Sequence, residues 1–186
     1  IQNSYGYVLD SIEYAKIMGA KRVVFHPSTQ GKLTREEAVE LTKKRLQILA
    51  DKIYERGYDD MLVCPETMGK INQLGTLEEV IALCELDERL IPCIDFGHLN
   101  ARTLGEVNSK EAFLFVINEI GNRLGEYRKK HFHSHFSKIE YTKGGEKKHL
   151  TFEDNLFGPE PLPLMELLCE LNLEPTIICE SDGTQS

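Results

Sequence analysis

The sequence predicts an α/β fold, a (β/α)8 barrel present in large part but not whole, on three observations. Short β-branched apolar runs alternate with longer amphipathic segments along the 186-residue chain, the pattern of βαβ units that sets parallel strands inside and helices outside. Neither a GxGxxG nor a GxxxxGK[ST] motif follows any of those runs, so nucleotide-binding doubly wound sheets lose their usual sequence support. The residues able to bind a cation or move a proton stand at or just past the C-terminal ends of the runs, where a barrel gathers them on one face.

The elements follow in order. Tyr7, Ile12, Tyr14, Ala15, Ile17 and Met18 recur at helical spacing and stop at Gly19, so the chain enters in a helix. Residues 22–25 form a β-branched run bounded by Pro27. Thr34 and Glu37 stand at capping-box spacing ahead of a helix over about 34–56, with Gly57 as its stop. The alternation continues with strand 61–64, helix 76–86, strand 91–94, helix 109–124 and strand 131–136. A polar loop rich in Gly and Lys comes next, then a helix near 162–171 and a last strand over 176–179.

Composition narrows the function classes. With 22 Lys+Arg against 30 Asp+Glu the net charge is −8, and 41% of residues are hydrophobic. Chains of about 150 residues already bury roughly two-thirds of their unfolded surface, so one domain over residues 1–186 with a sizeable core is expected. No low-complexity tract or long apolar run occurs, which excludes disorder and a membrane-spanning helix. The five cysteines lack CxxC spacing and mostly sit in apolar runs, as reduced thiols of a cytoplasmic protein do. The acidic balance weighs modestly against a broad nucleic-acid surface.

Five successive strands end in His26, Glu66, Asp95 with His98, His133, and Glu180. Singly, each reads more readily as a satisfied core histidine, a cap or an exposed strand end. Jointly they would bring like charges together in a cleft, a cost that a divalent cation removes. Mixed imidazole and carboxylate donors suit zinc, with manganese or iron as alternatives. His131, His133 and His135 share one strand face at period two, so only one or two of them reach the rim; His131 reads as a neutral interior residue. Lys143, Lys147, Lys148 and His149 form a basic loop over the same face.

These motifs together resemble a known family. Val-Val-Phe-His26-Pro-Ser, Cys-Pro-Glu66-Thr-Met-Gly-Lys, Cys-Ile-Asp95-Phe-Gly-His98, His133-Ser-His-Phe-Ser-Lys138, Lys-Lys-His149 and Ile-Ile-Cys-Glu180 are similar, in this order, to endonuclease IV. That family is the zinc-dependent AP endonuclease branch of the xylose-isomerase-like TIM barrels. The resemblance implies hydrolysis of DNA 5′ to abasic sites by two or three zinc ions. Glu66 would bridge the first two metals, His26 would bind the first, and Asp95, His133 and Glu180 the second. His98 and His149 would hold the third, with Glu66 and Glu180 catalytic and Lys138, Lys147 and Lys148 toward the DNA. An aspartate of the family's third site is replaced by Lys147, which leaves open whether Glu146 takes its place. Whether His133 or His135 is the ligand also stays open.

The same superfamily implies a second reading. Its sugar isomerases and epimerases hold one metal with a Glu, Asp, His, Glu set that maps onto Glu66, Asp95, His133 and Glu180, and act on a small sugar. A third is a non-catalytic metal-binding relative. Since such barrels typically take about 250 residues, the N-terminal strands and the last helix are expected to be missing. A complete barrel would be a monomer.

Overall fold

A computed structural model of the chain describes residues 4–181. In chain order the elements are α1 Ser4–Ile17, β1 Arg22–Phe25, β2 Ser28–Thr29, α2 Arg35–Glu55, β3 Leu62–Pro65, β4 Gln73–Leu74, α3 Leu77–Cys84, β5 Cys93–Asp95 and α4 Phe96–Arg102. There follow α5 Lys110–Leu124, α6 Glu126–Lys130, β6 His133–Phe136, β7 Lys138–Thr142, β8 Gly145–Leu150, α7 Pro161–Glu170 and β9 Thr176–Cys179.

β1 pairs with β3, and β5 with β6 and β6 with β9, all in parallel. Parallel bridges Val63 to Leu90 and Glu66 to Cys93 join the two groups. The strands thus follow one another in space as in sequence, β1-β3-β5-β6-β9, the order of strands in the wall of a (β/α)8 barrel. Among the described residues β1 and β9 each pair on one side only.

The central strands β3, β5 and β6 are buried almost throughout, as strands covered on both faces are, whereas β1 is half-buried and β9 mostly exposed. On the inner face Cys64, Ile91 and Cys93 pack with Val24 and Leu62. The outer face carries Val63, Ile94 and Phe136 into the main core, against Ile53 of α2, Val80 and Ile81 of α3, Phe113 and Ile117 of α5 and Leu164 of α7. The predicted capping box of α2 is present, Thr34 accepting from Glu37 N and Glu37 from Thr34 N, and Thr76 and Glu79 repeat it at α3.

The structure corrects the reading of the polar segment after β6. Residues 138–150 form an antiparallel hairpin, β7 with β8. Its strands carry Glu140, Glu146, Lys147 and Lys148 at exposed or half-buried positions, and only Lys138, Ile139 and Gly145 of this segment are buried, so no apolar alternation marks it. The hairpin docks on the β3–α3 loop through Ile71 N to Gly144 O and Glu146 N to Gly69 O. Gly145 has φ +89°, and a Cβ there would collide with the Gly69 carbonyl. Arg102 donates to the carbonyls of Met68, Lys70, Ile71 and Gln73, and Arg35 to the last two, fixing that loop. His131 ends α6 and faces Glu174 at 3.8 Å; it is not the interior residue expected. No helix among the described residues is long and apolar enough to cross a membrane.

Candidate metal centre

The C-terminal ends of the five strands supply the site. Glu66 follows β3, Asp95 ends β5, His135 lies in β6, Glu180 follows β9 and His26 follows β1. Ladder hydrogen bonds continue past the strands, Glu66 N to Phe25 O and Glu180 N to Phe136 O, so both glutamates leave an ordered backbone. Asp95 also caps α4, its Oδ1 accepting from His98 N at 2.7 Å. One turn of helix therefore sets Asp95 and His98 side by side.

Glu66, Asp95, His135 and Glu180 offer four donor atoms within 4.8 Å of one another. His135 Nδ1 is 3.1 Å from Glu66 Oε1 and 3.3 Å from Glu180 Oε1, so the two glutamates meet at one ring nitrogen. His26 Nε2 lies 3.3 Å from Glu66 Oε2, on the more exposed flank. Asp95 is fully buried, and its Oδ2 accepts no hydrogen bond among the described residues. His98 Nδ1 is 3.3 Å from that oxygen but is also 2.9 Å from the Thr67 carbonyl, which can only accept. That contact fixes Nδ1 as the protonated nitrogen and turns Nε2 toward Glu146, 3.4 Å away.

His98, Glu146 and His149 form a second group of donors within 4.8 Å. His149 is oriented by a 2.9 Å contact between its Nδ1 and the Ser137 hydroxyl. Glu146 arrives there because the hairpin docks through Gly69 and Gly145; a Cβ at Gly69 would lie 2.6 Å from Glu146 Cβ.

Protonation shifts expose the charge imbalance. Burial pushes the Asp95 carboxyl up, with only partial relief from His98. Burial opposes ionisation of Glu66 as well, but the neighbouring imidazoles of His135, His26 and His98 hold it well below the usual carboxylate range. Burial would lower His98, yet Asp95, Glu66 and Glu146 raise it to about 10. His135 is raised against burial by its hydrogen bond to Glu66, and His26 is raised first by its own. The imidazoles take up the positive charge that three converging carboxylates demand. An orphaned carboxylate oxygen within a mixed oxygen and nitrogen donor set fits a divalent ion of the zinc or manganese type.

Several expected residues stand elsewhere. His133 is replaced by His135 in the four-donor group and lies one layer deeper. The repeat of His at period two put both on the inner face, and only the register of β6 decides which one reaches the rim. Lys147 and Lys148 turn to Glu140, Lys147 in direct contact and Lys148 at 4.0 Å. Lys138 is buried, its ammonium donating to the Asp154 carbonyl and to Glu160. Thr67, whose carbonyl fixes the His98 tautomer and whose hydroxyl contacts the Asp95 backbone, carried no signal in the sequence.

A family profile described as xylose isomerase-like TIM barrel matches residues 2–185. An uncharacterized protein of Methanocaldococcus jannaschii is 35% identical over 172 residues, 91% of this chain and 62% of that protein. The crystal structure of a D-tagatose 3-epimerase-like protein is similar with a TM-score of 0.63 and 21% identity, over 90% of this chain and 58% of the other. That of a D-psicose 3-epimerase in the presence of D-fructose gives a TM-score of 0.59 and 13% identity, over 94% and 55%. The chain therefore spans less than two-thirds of the length of each of these proteins.

Proposed function

Because the chain belongs to the xylose isomerase-like TIM barrel family, we propose that it is the metal-binding part of a sugar isomerase or epimerase, moving a proton at a carbon next to a carbonyl in a polyhydroxy substrate. The observation that carries this reading is the meeting of Glu66 and Glu180 on His135 beside the orphaned Asp95 oxygen. The likeness in fold to two sugar 3-epimerases supports the same class.

Glu66, Asp95, His135 and Glu180 would hold one divalent ion. Such an ion, when bound, supplies a Lewis acid for adjacent carbonyl and hydroxyl oxygens. One glutamate, coming from β3, takes the proton from carbon; the other, from β9, returns a proton from its own side. His98 keeps Nδ1 on the Thr67 carbonyl and so presents Nε2 to a substrate hydroxyl. His26 holds Glu66 on the open flank.

The test is to load the protein with Mn²⁺, Co²⁺ or Zn²⁺ and follow exchange of solvent deuterium into D-fructose, D-tagatose and D-psicose. Exchange at carbon 3 is expected. Its absence with every metal and sugar would overturn the reading. One observation favours a second reading, an endonuclease IV-like phosphodiesterase acting on abasic DNA: the His98, Glu146 and His149 group beside the first could hold a further ion. Two or three zinc ions per chain, with cleavage of an abasic duplex, would select it over the epimerase.

A further inference from the structure

One layer below the rim, Cys93 on β5 and His133 on β6 are register partners. Both are interior residues, at 0% and 5% exposure. Neither Nδ1 nor Nε2 of His133 has a hydrogen-bond partner among the described residues. Leaving both ring nitrogens of one buried imidazole unmatched is costly, and native proteins rarely tolerate it. Around the pair the inner wall is apolar, with Cys64, Ile91, Val24 and Leu62 packed on Cys93. His135 stands above, its ring edge-on to that of His133 with centroids 5.3 Å apart. Donor atoms of Cys93, His133 and His135 all lie within 4.8 Å of one another.

We propose that Cys93, His133 and His135 form a second metal site, one that takes thiophilic ions such as Zn²⁺ or Cd²⁺. The donor chemistry separates it from the group above. Three carboxylates and one imidazole favour harder ions, whereas sulfur with two imidazoles is a soft set. Donors within 4.8 Å of one another would draw closer together to reach the roughly 2.0–2.3 Å bonds of zinc. On binding, the Sγ–H bond breaks, the sulfur keeps the electron pair for the metal and the proton leaves to solvent. His135 belongs to both groups, so an ion in the lower site draws on the imidazole that the carboxylate group uses.

The test titrates Co²⁺ into the whole chain carrying Cys169→Ser and Cys179→Ser, which removes the two exposed thiols. A thiolate-to-cobalt absorption band should grow to one equivalent. Cys93→Ser should abolish it, and His133→Gln should weaken binding by roughly tenfold or more, since even groups that only support ligands contribute 10–100-fold. No band, or a band that survives Cys93→Ser, would overturn the proposal. Zinc-edge absorption on the unsubstituted protein needs no variant: a sulfur shell near about 2.3 Å supports the site, and oxygen and nitrogen scatterers alone at saturation refute it. Glu66→Gln with Glu180→Gln disables the carboxylate group but should keep the band, so failure of the epimerase reading and failure of this site give different results.

Discussion

His98 donates from Nδ1 to a backbone carbonyl, so the rest of its chemistry falls on Nε2. In metal-free protein burial pulls its pKa down, but Asp95, Glu66 and Glu146 prevail and lift it to about 10. The sign follows from linkage. A pKa raised from about 6.5 stabilises the fold in full below that value, and the gain is lost as pH rises through the folded-state pKa. The urea midpoint of chelator-treated protein should therefore fall between about pH 6.5 and about pH 10, and His98→Asn should flatten that slope. Glu66 and Glu180 give a kinetic prediction. Either Glu→Gln exchange should cut solvent-deuterium exchange by roughly 10²–10⁴, the usual contribution of a positioned acid or base, with the circular dichroism spectrum unchanged. Full turnover in either variant would remove its proton-transfer role.

The β7–β8 hairpin decides whether Glu146 and His149 reach His98. It docks by backbone hydrogen bonds to the β3–α3 loop, with Gly145 in a left-handed conformation against Gly69. Gly145→Ala forces both strain and collision, at a cost of about 1–3 kcal/mol. Urea denaturation should show that loss, and Co²⁺ stoichiometry should show weakened binding at His98, Glu146 and His149 with the four-donor group retained. Unchanged binding at His98, Glu146 and His149 in a destabilised variant would sink the docking argument. The hairpin also marks where the sequence stops being legible. Strands of the wall announce themselves by apolar runs, and the capping boxes at Thr34 and Thr76 follow from local spacing alone. Glu146 lies on a polar strand that no apolar pattern marks, and its placement depends on a loop seventy-odd positions away in sequence. His135 was in plain view beside His133, but period two fixes a face and leaves height along the strand to the pairing of β6 with β5 and β9.

Across the whole molecule the four donors sit on or just past β3, β5, β6 and β9, from position 66 to position 180. An ion bound by all four ties the wall together and stabilises the folded state by mass action. At 100 times the dissociation constant the gain is about 2.7 kcal/mol, which for a chain of this size raises Tm by roughly 5–11 °C. Calorimetry with and without chelator measures it, and equal Tm values would show that no ion bridges those strands. Strand order in space repeats strand order in the chain, so the four donors come from neighbouring strands, with Glu180 contributed after the last of them. A partial set of donors exists while β9 is still unpaired, and the complete set exists only after it has joined β6. Cobalt added to refolding protein would reach full coordination only once β9 and β6 have paired, and so would report that pairing.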